Sequence, residues 1–365
     1  MKIGIITFHR AINYGAVLQA FALQRALNKN GYETEIIDYA CKYLEKCYKK
    51  YYNPEHSIKG IISAIIYYPI RSARIEKFEK FRKKYMNISS EKNITKEDLK
   101  KIANKYDYII TGSDQVWNPE QTDYDMSYFL DFVEPQKRMS YAASMGTNEP
   151  PENQATIFKK YVQRYYKVSV REEENEKYLK KLLNIKVKTV ADPVFLLSID
   201  EWKLLIDNKS IINEPYIFVY CLHEKKCYKY AKYLSDKTGK KIVSIPDSIK
   251  VRCSGKKDFK AGVLDFLNYI YYSDYVITDS FHATAFSIIF EKNFNIVMKQ
   301  NRKALNGRLY SISNKYDLDE IVISGDYDIN KIGKKVNFDG VRKIKNREIL
   351  EAERFIKNFG SKDKD

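Results

Sequence analysis

Apolar positions along this chain fall into short β-branched runs that alternate with longer stretches of helical spacing. Residues 3–7 form the first such run, and residues 16–30 place Val17, Leu18, Phe21, Leu23 and Leu27 on one face before Gly31 stops the helix. Residues 33–39 return to a strand pattern, so the chain opens β-α-β. The alternation continues with strands over 106–111, around Arg138, over 167–170 and over 187–190, and with helices over 150–166 and 175–183. Past Asp192-Pro193 it resumes. Strands are expected over 216–222, 241–245, 275–278 and 294–298, with helices over 225–238, 260–272, just after His282, over 309–315 and over 342–359. A Lys- and Tyr-rich stretch, 40–105, interrupts the first half and reads as a helical insertion or lid, with helices over 72–86 and 96–104.

One strand phrase occurs twice. Asp107-Tyr108-Ile109-Ile110-Thr111-Gly112-Ser113-Asp114 matches Asp274-Tyr275-Val276-Ile277-Thr278-Asp279-Ser280-Phe281 at Asp, Tyr, Ile, Thr and Ser. Strand propensity alone would favour Ile, Val, Thr and Tyr at such places. The sharper reading is two α/β domains facing one central cleft, each offering the carboxyl end of a strand, where open parallel sheets meet their ligands. The expected division is 1–197 for a first domain carrying the insertion, 198–335 for a second, and 336–365 for a terminal helix packing back on the first, with a frayed basic tail.

Composition narrows the class. A chain of 365 residues is long for a single core, and 44% hydrophobic residues suffice for two. No run of about 18 apolar residues occurs, and the opening residues read as a strand rather than a signal peptide, so a cytoplasmic place is expected. Five cysteines without CxxC spacing suggest reduced structural thiols, and four scattered histidines suggest no metal site. The net charge of +17 calls for acidic partners. No nucleic-acid-binding signature accompanies it, so the expected partners are phosphorylated small molecules and the inner face of a membrane.

Three loops carry candidate chemistry. Ser280 and His282 stand where the second copy of the phrase turns into a helix, and a helix start gathers N–H groups that welcome an anion. The plainer alternative is a helix cap beside a structural histidine. Gly112-Ser113-Asp114-Gln115-Val116-Trp117 supplies a hydroxyl, a carboxylate, an amide and a flat ring suited to a sugar, or else an ordinary turn with a buried tryptophan. Arg171, at a strand end, is able to clamp a phosphate or carboxylate, or simply to pair with a neighbouring Glu. Asn13 and Gly15 shape the first β-to-α turn, which lacks the GxGxxG pattern of a dinucleotide site. Asp123-Tyr124-Asp125 reads as a turn.

Six blocks in this order resemble the polysaccharide pyruvyl transferase family. They are the stretch from Asn13-Tyr14-Gly15 to Gln24, Gly112 to Pro119, Ser140-Tyr141-Ala142-Ala143-Ser144, Ser169-Val170-Arg171-Glu172, Asp192-Pro193, and Asp279-Ser280-Phe281-His282. The resemblance implies a GT-B-like pair of Rossmann-like domains and transfer of a pyruvyl group from phosphoenolpyruvate to sugar hydroxyls of a surface polysaccharide or its lipid-linked precursor. It also implies that Arg171 and His282 lie in the donor site. Better characterised branches carry Arg-Leu-His where this chain has Ser280-Phe281-His282, so one clamp is missing; Lys299, Arg302 or Arg308 would replace it, or the donor differs. The expected roles are His282 as acid or phosphate ligand, Asp114 to orient or deprotonate the acceptor hydroxyl, and Asn13, Tyr14, Gln115 and Trp117 around the acceptor sugar. No cofactor is expected beyond phosphoenolpyruvate as co-substrate. The rivals are a glycosyltransferase using a nucleotide-sugar and a non-catalytic anion-binding scaffold.

Overall fold

The computed structural model describes residues 1–48, 58–147, 150–246, 251, 254–300 and 306–360, and for 58–64 and 326 the backbone alone. Its elements run β1 (Lys2–Ile6), α1 (Tyr14–Lys29), β2 (Glu33–Ile36), α2 (Lys42–Cys47), α3 (Ile58–Tyr85), α4 (Lys96–Ala103), β3 (Tyr108–Thr111), β4 (Arg138–Ser140), α5 (Glu152–Tyr161), β5 (Ser169–Val170), α6 (Glu173–Leu183) and β6 (Lys188–Thr189). They continue α7 (Ile199–Lys203), β7 (Tyr216–Tyr220), α8 (Lys226–Thr238), β8 (Lys241–Ser244), β9 (Lys256–Lys257), α9 (Val263–Tyr272), β10 (Tyr275–Thr278), α10 (Phe281–Ile289), β11 (Asn293–Val297), α11 (Gly307–Lys315), β12 (Val322–Ile323) and α12 (Phe338–Lys357).

Two compact units divide this chain. The first takes residues 1–64, 79–197 and 347–365, and the second takes 65–78 and 198–346. In the first, strands in the order β2-β1-β3-β4 form a parallel sheet, and β5 pairs with β6 beside it. In the second, six strands run parallel in the order β12-β11-β10-β7-β8-β9. Both sheets grow outward from their first strand, then return and grow the other way. The reversal falls between β1 and β3 in the first unit and between β7 and β10 in the second.

The repeated phrase therefore occupies the same slot in both sheets. Each copy opens on an aspartate that accepts from the backbone N–H opposite it on the neighbouring strand. Lys2 N–H donates to Asp107 Oδ2 at 2.7 Å, and Tyr216 N–H donates to Asp274 Oδ2 at 3.1 Å. Each contact anchors the start of a strand pair, and slipping the register by one residue would lose it.

The segment expected to be an insertion over the first domain is shared between units. Residues 65–78 of α3 belong to the second, where Lys77 pairs with Asp265 at 2.6 Å and Arg74 Nη2 donates to Pro246 O at 3.4 Å. The second half of α12, from Arg347, and the residues after it belong to the first unit, where Tyr32 Oη donates to Ile356 O at 2.9 Å and Phe355 packs near Tyr141. A second correction concerns the thiols. Cys221 and Cys227 form a disulfide across the turn from β7 into α8, because that turn folds back and brings the two side chains together; Cys41 is a buried thiol. Cys253, Arg302 and His56 lie outside the described residues.

A buried ionic cluster closes the amino-terminal sheet. The His9 ring lies between Thr7 O and Asp38 Oδ1, both at 3.1 Å, and Arg10 donates to Asp38 at 2.8 Å and to Glu45 at 2.7 Å. Burial alone would raise the Asp38 pKa, but His9 and Arg10 outweigh it and hold the carboxyl well below its ordinary 3.8. A folded-state value below the unfolded one means that the stabilisation is fully present above pH 3.8 and is lost as the pH falls. Asp38→Asn is therefore expected to cost on the order of 3 kcal/mol at neutral pH. In urea unfolding repeated at about pH 3, the variant should lose less stability than the wild type; equal losses would contradict the pairing.

Candidate active site

In the first unit the blocks that carry the resemblance meet at the carboxyl ends of the strands. Arg171, one residue past β5, donates from Nη1 to Asp192 Oδ2 at 2.8 Å and from Nε to Glu172 Oε1 at 3.0 Å. Ser113, past β3, donates to the same Asp192 oxygen at 3.1 Å, and Ser144, past β4, donates to the same Glu172 oxygen at 2.9 Å. Thr7, past β1, joins through a bond from its hydroxyl to Ser113 O at 3.2 Å, and Gln19 of α1 donates to that hydroxyl at 2.8 Å. The chain segments that follow β1, β3, β4, β5 and β6 are thus bound into one buried network.

Its charge balance explains its rigidity. Burial would lower the Arg171 pKa, but Glu172, Asp192 and Asp114 together push it up, so the guanidinium stays charged although it is only 4% exposed. A buried cation with two hydrogen-bonded carboxylates is a structural pairing first. Both the neighbouring Glu172 and the distant Asp192 take part, and only the former was foreseeable locally. Asp114 sits above this network in a left-handed conformation, φ 75°, with its Oδ1 accepting from Gln115 N–H at 2.9 Å. That backbone turn directs the loop after β3 and is uncommon for a residue with a Cβ.

The expected acceptor residues divide. Asn13 caps α1, its side chain accepting from Ala16 N–H at 3.2 Å, and Gln115 is half-buried beside Gly146. Trp117 is a correction: it is 0% exposed, stacked on Phe129 and met edge-on by Phe158 and Tyr165. Its ring faces are covered by the core, so no sugar stacks there in this structure. Tyr14 is likewise buried. Asp125 caps the turn that follows it, accepting from Ser127 N–H at 3.0 Å, as a turn residue does.

The second unit presents its own rim. Ser280 caps α10, its hydroxyl accepting from Ala283 N–H at 3.5 Å, and His282 lies in the first turn of this nine-residue helix. The aspartate before the cap, Asp279, is buried and turns its carboxylate sideways. It accepts from the N–H groups of Leu222, His223 and Glu224 at 2.6, 2.7 and 2.7 Å, in the loop that follows β7. Glu224 Oε2 accepts from Gln300 N–H at 3.2 Å, Lys226 donates to Gln300 Oε1 at 2.7 Å, and Gln300 donates to Ser324 O at 3.1 Å. The loops after β7, β10, β11 and β12 are therefore linked in sequence.

Lys299 and Arg308 flank this rim. Lys299 is buried, and the Asn306 side chain grips its backbone from both sides, accepting from its N–H and donating to its carbonyl, each at 2.9 Å. Arg308 is half-buried in the first turn of α11. The structure thus brings Ser280, His282 and Lys299 to the strand ends of one sheet, and Asp114, Gln115, Arg171 and Asn13 to those of the other. Sequence reasoning placed Asp192, Ser144 and Asp279 in the blocks that carry the resemblance but gave them no role at the site. The signal for Asp279 was the repeat itself, where the first copy has Gly112 at the matching place.

Comparisons with known proteins agree with this arrangement. A family model described as polysaccharide pyruvyl transferase matches residues 13–298. No curated protein matches the chain by sequence. Among solved structures, the chain is similar to the UDP-GlcNAc 2-epimerase of Methanocaldococcus jannaschii in complex with UDP-GlcNAc and UDP, with a TM-score of 0.55 at 13% identity over 98% of this chain and 99% of that one. It is also similar to a putative UDP-N-acetylglucosamine 2-epimerase from Listeria monocytogenes, with a TM-score of 0.53 at 12% identity over 100% and 98%. At such identities the likeness concerns the fold, which is of the GT-B type: α/β with parallel sheets.

Removing Arg171 would leave Asp192 and Glu172 buried without their cation. Arg171→Ala is expected to lose about 3–5 kcal/mol, measured by urea unfolding. Arg171→Ala combined with Asp192→Asn should lose less than the two single losses added. Additive losses would show that the pair does not couple.

Proposed function

The chain belongs to the polysaccharide pyruvyl transferase family, and from that premise we propose that it moves a pyruvyl group from phosphoenolpyruvate onto two hydroxyls of a surface-polysaccharide sugar or its lipid-linked precursor. The single observation that carries the reading is His282 in the first turn of α10, at the carboxyl end of β10 and beside the reversal point of the six-stranded sheet. Helix-start N–H groups favour an anion there, and a histidine is able to donate a proton near neutral pH.

The chemistry balances without a redox partner. A proton adds to the CH2 carbon of phosphoenolpyruvate, C2 becomes electrophilic, and one sugar hydroxyl attacks it while giving up its proton. The C2–O bond to phosphate then breaks, phosphate leaves, and the second hydroxyl closes the ketal with loss of its own proton. In this reading His282 supplies the first proton or steadies the phosphate, and Ser280, Lys299 and Arg308 meet the donor's negative charge. Asp114 takes the acceptor proton, and Asn13 and Gln115 meet the acceptor sugar. Arg171 holds the Asp114 loop through its ion pairs, and Arg171→Lys tests a direct donor contact because it keeps charge but loses the fork.

A nucleotide-sugar transferase is the second reading, favoured by the fold likeness to an epimerase whose structure contains UDP-GlcNAc. A non-catalytic anion binder is the third. Thermal shift with phosphoenolpyruvate against UDP-GlcNAc separates the first two, since a specific ligand raises the melting temperature. His282→Ala is expected to lower acceptor-dependent phosphate release at least about 100-fold. Wild-type turnover in that variant would remove His282 from the reaction, and ligand binding with no phosphate release from any acceptor sugar would favour the third reading.

A lipid-linked acceptor fits peripheral association with the inner membrane face. Among the described residues no helix is long and apolar enough to cross a membrane. Yet Ile65 and Ile66 of α3 are each 61% exposed, and Lys83 and Lys84 in the last turn of the same helix are exposed as well. Apolar and basic groups on one helix suit an anionic lipid surface. Sedimentation with anionic vesicles is expected to be stronger than with neutral ones and to weaken in Ile65→Ser/Ile66→Ser; no difference between vesicle types would contradict the proposal.

A further inference from the structure

Three backbone N–H groups converging on one point form a nest that ordinarily receives a ligand's phosphate or carboxylate. In the second unit such a nest follows β7, at residues 222–224, and it stands at the crevice between β7 and β10 where the strand order reverses. Open parallel sheets take their ligands at this crevice. Here the protein fills the nest itself, with the Asp279 carboxylate at 2.6–2.7 Å from all three donors.

The residue is tied in on its backbone side as well. The Thr278 hydroxyl donates to Tyr220 O across the same crevice at 2.5 Å and accepts from Ser280 N–H at 3.0 Å. Asp279 therefore stands between two fixed points, one residue before the Ser280 cap and three before His282. The corresponding residue of the first unit is Gly112, where an added Cβ would lie 3.0 Å from Thr7 Cβ. The strut belongs to the second unit by construction.

We propose that Asp279 is a positioning residue for the donor: by occupying the nest after β7 with a built-in carboxylate, it fixes Ser280 and His282 at the start of α10 and leaves the donor's anion to be met there rather than by the β7 loop. The inference rests on the reading that His282 faces the donor. It also specifies the ligand class. A small phosphorylated acid is accommodated at the α10 start, while a diphosphate that required the nest after β7 would compete with Asp279.

Asp279→Ala decides the matter in two independent ways. Amide hydrogen exchange at residues 222–224 is expected to rise at least about tenfold and to be slowed again by formate, which replaces the missing carboxylate, but not by chloride at equal ionic strength. The KM for phosphoenolpyruvate should rise about tenfold while kcat falls less than about threefold, and formate should reverse the change in KM. If Asp279→Ala does not fold, Asp279→Asn, which keeps one acceptor oxygen, is expected to show intermediate exchange and an intermediate KM. Unchanged exchange in a folded variant overturns the strut, and a raised KM without a formate response overturns its positioning role. Should the wild type release no phosphate from phosphoenolpyruvate, the functional reading falls, whereas the exchange and formate results still decide whether Asp279 holds the nest.

Discussion

A single guanidinium, taken out of water and shared between two carboxylates, governs the first unit. Arg171 stays charged in so buried a place because Glu172, Asp192 and Asp114 outweigh the cost of its burial. The consequence is geometric more than energetic. Ser113 and Ser144 bind to those same two carboxylates, so the loops after β3, β4, β5 and the chain past β6 take their positions from one ion cluster. The left-handed Asp114 backbone turns the chain past β3 toward this cluster.

The second unit reaches a similar end through carboxylates that face backbone donors. Its rim is joined by N–H groups held on Asp279 and Glu224 and by the Gln300 side chain, which takes a bond from Lys226. The two sheets nonetheless share a plan, visible in the paired aspartates before β3 and β10, each bonded to the neighbouring strand. They diverge just past the strand. Gly112 is crowded by Thr7, whereas Asp279 has room to cross to the next loop. A repeat that keeps its register but exchanges glycine for aspartate at one position can host two different rims.

Much of this was legible beforehand. Helix α1 begins two residues before its expected start because Asn13, already picked out as a turn residue, is its cap. Strands β1, β3, β7, β8, β10 and β11 lie at or within a few residues of the apolar runs that marked them. What stayed hidden depends on partners far along the chain. Trp117 next to a polar loop gives no local sign of burial, since Phe158 and Tyr165 are supplied by a helix and a turn some forty residues on. Arg171 and Asp192 are 21 residues apart, which leaves no periodic trace. The disulfide lacks a recognisable spacing, and β9 and β12, at two residues each, are too short to show alternation.

A stretch coded after the second unit returns to the first. Residues from 347 onward cluster with the amino-terminal unit, and the hydroxyl of Tyr32, between α1 and β2, is bonded to carbonyls of Ile356 and Phe359. A nascent chain therefore carries its opening half in an unfinished condition until that later stretch has been made. The later-coded unit, whose contiguous stretch closes earlier, is free to condense first, so the order of maturation need not follow the order of synthesis.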